Sequence, residues 1–140
     1  MEKLSGVLLV DDDQTTNFLN HALLTRLGVA ERIFVALDGQ QALDQVHAHC
    51  ATPTPDCPAL ILLDVNMPGM NGIEFLQAYR QLPAGQRQAT VIVMLTTSLH
   101  PRDVEQVQAL GVDGFLNKPL NKDNVNYVLR TFFRRELPPA

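Results

Sequence analysis

The sequence offers little to nucleic acids, membranes or a disulfide scaffold. Eleven Lys and Arg against fifteen Asp and Glu leave a formal charge of −4, so the concentrated basic face that nucleic acid needs is missing. Apolar runs such as 60–63 and 91–95 fall far short of the roughly 20 residues that cross a bilayer. No secretory leader is expected either. Ser5 and Gly6 interrupt the N-terminal apolar stretch, and Asp11-Asp12-Asp13 follows at once. Cys50 and Cys57 are the only cysteines, too few for a disulfide framework or a metal quartet, and they read as free thiols of a cytoplasmic protein. No internal repeat or low-complexity segment is present. With 46% apolar and 19% charged residues in a chain of 140, disorder is excluded and one domain with a real core is expected.

What the sequence does have is alternation. Apolar runs at 7–10, 33–36, 60–63, 91–95 and 114–116 are separated by helical signals. The first, third and fourth runs are apolar at every position, as suits parallel strands covered on both faces. In the first helix Phe18, Leu19, Ala22, Leu23 and Leu27 recur at three-to-four spacing, and Gly28 is the stop. Asp38 is the expected N-cap of a helix over 40–49. Further helices are expected over 73–79, with Ile73, Phe75 and Leu76 inward, and from Pro101 to Gly111 through Val104, Val107 and Leu110. The last runs over 122–135, with Val125, Val128, Leu129, Phe132 and Phe133 on one face. Strict alternation makes the fold α/β, a doubly wound parallel sheet with helices on both faces. One domain is expected over 1–140, with its core at about 7–133 and no second domain. The proline-bearing stretches 51–59 and 82–89 join helices to strands. They belong at the sheet edge opposite the ligand crevice and read as variable decoration.

The polar residues that end the strands converge on that crevice. Asp11, Asp12 and Asp13 follow the first strand, Asp64 the third, Thr96 and Thr97 the fourth, and Lys118-Pro119 the fifth. Two carboxylates ~4–5 Å apart repel by about 3–4 kcal/mol at an effective dielectric of 20. A cluster of Asp11, Asp12 and Asp64 therefore needs a proton, Lys118 or a cation to neutralise it. Hard oxygen donors without sulfur or imidazole select Mg²⁺. A Mg²⁺ and a lysine beside a carboxylate nucleophile make a phosphoryl-transfer constellation.

Four segments carry a family resemblance: Val10-Asp11-Asp12, the run 63–72 from Leu63-Asp64 through Met67-Pro68-Gly69 to Gly72, Met94-Leu95-Thr96, and 111–119 ending in Lys118-Pro119. In that order at strand ends they resemble the receiver domain of two-component response regulators, here of the stand-alone kind similar to the chemotaxis receiver protein. The resemblance implies a five-stranded flavodoxin-like sheet of order 2-1-3-4-5. It implies Asp64 as the acceptor of a phosphoryl group from a sensor histidine kinase or phosphotransfer protein. Asp12, Asp64 and the backbone carbonyl of Asn66 would ligate Mg²⁺, with Asp11 acting through metal-bound water. Thr96 and Lys118 would bind phosphoryl oxygens, and the peptide before Pro119 is expected to be cis. Thr96 and Phe115 would form the switch, altering a partner face built from the helix opening at Pro101, the fifth strand and the last helix, with Leu99 and Val112 contributing. Asn66 and Ser98 occupy positions that in the family flank the dephosphorylating water, and neither is ionisable. The implied protein is a cytoplasmic monomer or weak dimer with an unnamed downstream target, and it self-phosphorylates without turning over as an enzyme.

Blander readings stand beside these. Asp13 is an N-cap that favours the first helix's dipole. His21, His47, His49 and His100 are solvent residues, and Arg130, Arg134 and Arg135 complement the dipole of the last helix. The segment Asp11-x-Asp13-x-Thr15 fits the opening motif of the haloacid dehalogenase phosphohydrolases, with Asp11 as nucleophile. No acidic pair follows Lys118 to complete that metal site. A third reading is a pseudo-receiver that binds partners without phosphorylation.

Overall fold

Strand residues alternate between two cores, and this decides the architecture. Leu8 and Val10, Ile61 and Leu63, and Ile92 and Met94 pack on one face, whereas Leu9, Leu60, Leu62, Val93 and Leu95 pack on the other. Strands apolar on both faces must be covered by helices on both faces. The computed structural model describes residues 2–50, 57–65, 69–82, 90–96, 105 and 107–137, and of Thr96 the backbone. The element order is β1 (Leu4–Val10), α1 (Gln14–Leu27), β2 (Ala30–Ala36), α2 (Gly39–Cys50), β3 (Leu60–Asp64), α3 (Gly72–Arg80) and β4 (Val91–Thr96). Helical backbone at 105 and 107–109 (α4) precedes β5 (Gly114–Asn117) and α5 (Lys122–Phe133). All pairings are parallel, in the order β2-β1-β3-β4-β5, so the expected doubly wound sheet is the one found. Among the described residues no helix is long and apolar enough to cross a membrane.

Helix ends follow local chemistry. The Asp13 side chain accepts from the amide of Thr15, and Gly28 closes α1 at a φ of 66°, where a side chain would be strained. The Asp38 carboxylate accepts from the amide of Gln41 at 2.8 Å, as expected of the cap of α2. Asn71 and Glu74 form a reciprocal capping box at α3.

Three expectations are corrected. The first concerns α1, whose buried face is Asn17, Asn20 and Leu24. Phe18 and Leu19 are 72% and 59% exposed. Leu23 and Leu27 of the apolar spacing pack against the core, while Asn17 turns inward to donate to the Asp11 carbonyl at 2.8 Å. The second concerns α5, which ends at Phe133, with Arg134 left-handed at a φ of 53°, so Arg134 and Arg135 lie past the helix. The third concerns Cys50 and Cys57, which are bonded to each other, with Cα atoms 4.8 Å apart. A crossover helix returns the chain to the edge where the next strand begins, so the end of α2 and the entry to β3 become neighbours. Counting cysteines does not show this. Reduction of the bridge, which spans a separation of 7, is expected to lower stability by about 2 kcal/mol and the melting temperature by about 7 °C. Calorimetry with and without a phosphine reductant checks the shift.

Candidate functional site

Register brings the site together. Val10 of β1 pairs with Leu63 of β3, so the residues that follow, Asp11 and Asp64, leave the sheet side by side. Asp64 pairs with Leu95, and Thr96 with Asn117, which puts Lys118 at the same edge. One carboxylate oxygen from each of Asp11, Asp12 and Asp64 lies within 4.8 Å of the others. Asp11 and Asp64 are buried, at 4% and 7% exposure, while Asp12 is exposed.

Lys118 answers part of the repulsion. Its Nζ donates to Asp11 Oδ2 at 2.7 Å and lies 3.4 Å from Asp64 Oδ1. Asp11 is held from two further directions: the Asp13 amide donates to its Oδ1 at 2.9 Å, and the Asn17 amide to its carbonyl. The other polar side-chain atom of Asn17, Oδ1, is buried with no partner among the described residues. Three carboxylates and one ammonium leave two negative charges at the edge, all on hard oxygens. That donor set suits a hard divalent cation. Gly72 lies against this edge, and a Cβ there would overlap the Asp64 carbonyl oxygen. Only glycine lets α3 start so close to the end of β3.

Burial draws the Lys118 pKa down, but the hydrogen bond it donates to Asp11 and the charges of Asp64 and Asp11 outweigh it, so the pKa lies above the ordinary 10.5. A raised folded-state value stabilises the fold fully below the unfolded value and loses that contribution as pH climbs through the folded one. The stability difference between wild type and Lys118→Met is therefore expected to be full at neutral pH and to shrink in strong alkali. Urea unfolding across that range reads it. Asp13 shifts the other way, held below 3.8 first by the Thr16 hydroxyl and then by the Thr15 amide. Its oxygens face the first turn of α1 at 2.9 and 3.0 Å, as the capping role requires and the phosphohydrolase motif does not.

Of the remaining expected residues, Phe115 is half-buried and packs on the core that faces α2 and α3. Val112 packs there too, and the Lys118–Pro119 peptide is cis. Asn66, the Thr96 side chain, Thr97, Ser98, Leu99, His100, Pro101 and Val104 lie outside the described residues. His49 stacks on Phe34 with ring centroids 5.8 Å apart, which corrects its reading as a solvent residue, whereas His21 and His47 are exposed. Sequence reasoning missed Asn17 and Asn124. The amide of Asn124 reaches the carbonyls of Asn117 and Pro119 at 3.3 Å each. A lone helical asparagine carries no motif, so no sequence signal pointed to either residue.

Residues 7–130 match the response regulator receiver domain. The chain belongs to that family. Receiver domains are signalling modules of two-component systems, driven by phosphorylation and paired with histidine kinases and downstream targets, and they are not turnover enzymes. The chain is 36% identical to the transcriptional regulatory protein CpxR of Escherichia coli over 132 residues, 94% of this chain and 50% of that protein, so it spans half the length of that relative. It is 33% identical to a probable chemotaxis protein CheY of Rhizobium etli, covering 91% of each chain. A two-component response regulator from Cytophaga hutchinsonii superposes with a TM-score of 0.83 at 30% identity, over 96% of this chain and all of that one.

Proposed function

We propose that this receiver takes a phosphoryl group onto Asp64 from the phosphohistidine of a sensor kinase or phosphotransfer protein, with Mg²⁺ as cofactor. An Asp64 carboxylate oxygen forms the new bond to phosphorus as the donor's P–N bond breaks. The observation that carries this reading is the meeting of Asp11, Asp12, Asp64 and Lys118 at one sheet edge, within 4.8 Å for the carboxylates and 3.4 Å or less for the lysine. Asp12, Asp64 and the Asn66 carbonyl are the assigned Mg²⁺ ligands, with Asp11 contributing through bound water. The bound ion would supply positive charge against the phosphoryl oxygens. Lys118, already an ion-pair partner of both buried carboxylates, turns its ammonium to those oxygens, and Thr96 is assigned a hydroxyl contact to them.

Phosphorylation adds about two negative charges beside Lys118. It favours whichever of two existing conformations brings Thr96 and Lys118 closer to the new group, with Phe115 following inward. The face of α4, β5 and α5 then changes its affinity for a downstream protein. Self-phosphorylation and autodephosphorylation, rather than turnover, are the chemistry assigned. The unit acts as a monomer or weak dimer in the cytoplasm, a placement that rests on the kinase partner and no longer on the cysteines. Incubation with acetyl phosphate and Mg²⁺ followed by intact mass is the test. One added phosphoryl group, prevented by EDTA, is expected. An unchanged mass overturns the proposal.

A further inference from the structure

The first turn of α5 differs from that of α3 at one position. In both helices an asparagine caps the N-terminus and accepts from the amide three residues on, Asn71 from Glu74 and Asn121 from Asn124. In α3 that third residue returns the bond, Glu74 Oε1 accepting from the Asn71 amide, and its charge also suits the helix N-terminus. In α5 the equivalent residue is neutral, and its side chain turns away from the cap. Asn124 Nδ2 donates to the carbonyls of Asn117 and Pro119, the two peptide oxygens on either side of Lys118. Carbonyls only accept, so the two amide hydrogens, one for each, must face them.

We propose that Asn124 is a positioning residue for Lys118. It ties the backbone on both sides of that lysine to the rigid start of α5, so that the Lys118 ammonium is held between Asp11 and Asp64. A lysine side chain has many rotamers of its own, and fixing its anchor points is the means the chain has of aiming it. Asn124 is part-exposed and belongs to neither core, so its side-chain geometry serves the loop rather than packing. The assignment rests on the proposed role of Lys118 at the phosphoryl group.

The test is a double-mutant cycle on the rate of labelling by acetyl phosphate and Mg²⁺. Asn124→Ala removes both donors, and Asn124→Asp keeps the size and suits the helix end while presenting oxygen to the two carbonyls. Each is expected to slow labelling about three- to tenfold with little change in melting temperature, and neither is expected to slow a Lys118→Ala protein further. Wild-type rates in both variants, with Lys118→Ala slow, overturn the inference and leave the site reading standing. An undiminished Asn124 effect in the Lys118→Ala background also overturns it, because the residue would then act by another route. A Lys118→Ala protein that labels at the wild-type rate removes the role of Lys118 itself, and the assignment of Asn124 falls with it.

Discussion

Asp64→Asn is expected to abolish phosphoryl labelling while the protein stays folded. The substitution keeps the shape of the side chain but replaces the anionic oxygen with a neutral amide, which does not attack phosphorus. The charge left by Asp11, Asp12 and Lys118 then falls from two negative charges to one, so the affinity for a divalent cation falls too. Mg²⁺ should raise the melting temperature of the wild type through preferential binding to the native state and leave the Asp64→Asn protein nearly unmoved. Without the metal, the variant should be within about 1 kcal/mol of wild type or more stable, because Asp64 lies beside two other carboxylates and one lysine. Intact mass after acetyl phosphate treatment and thermal melts with and without Mg²⁺ read the two effects separately. Full labelling of the variant would remove Asp64 as the acceptor.

Phe75→Ala is expected to cost about 3–5 kcal/mol, a large share of the roughly 5–15 kcal/mol that holds a domain together. Phe75 is completely buried, sits on the inner face of α3 and stacks on Tyr79 with ring centroids 5.8 Å apart. It belongs to the core that joins β1, β3 and β4 to α2 and α3. The cavity cannot collapse easily, because α3 is pinned at its start by Gly72 against Asp64 and by the Asn71–Glu74 capping box. The loss should therefore fall near the upper end of the range. Urea unfolding of wild type and variant measures it, and a cost below about 1 kcal/mol would mean that α3 shifts to fill the space.

The central strands were legible because a parallel strand covered on both faces must be apolar throughout, and 7–10, 60–63 and 91–95 are. β2 was under-read. It begins at Ala30, before the apolar run, and as an edge strand it keeps polar Glu31 and Arg32 exposed. The inward face of α1 was not legible, because apolar spacing reports a helix without saying which stripe turns inward. Asn17 points inward for a hydrogen bond that the sequence does not announce.

Asp11, Asp12, Asp64 and Lys118 could be named from the sequence alone. Each directly ends or follows a strand, and α/β topology sends all strand ends of one kind to one edge. The sequence by itself therefore determined the strand centres, the two-sided sheet and the acidic edge with its lysine, because those depend on local apolar runs and on connection rules. Tertiary structure alone decided that Lys118 reaches Asp11 more closely than Asp64, that Cys50 meets Cys57, and that Asn17 and Asn124 hold the backbone of the site. Each of those depends on the relative placement of separate elements, which packing fixes to within an ångström and no local pattern of residues encodes.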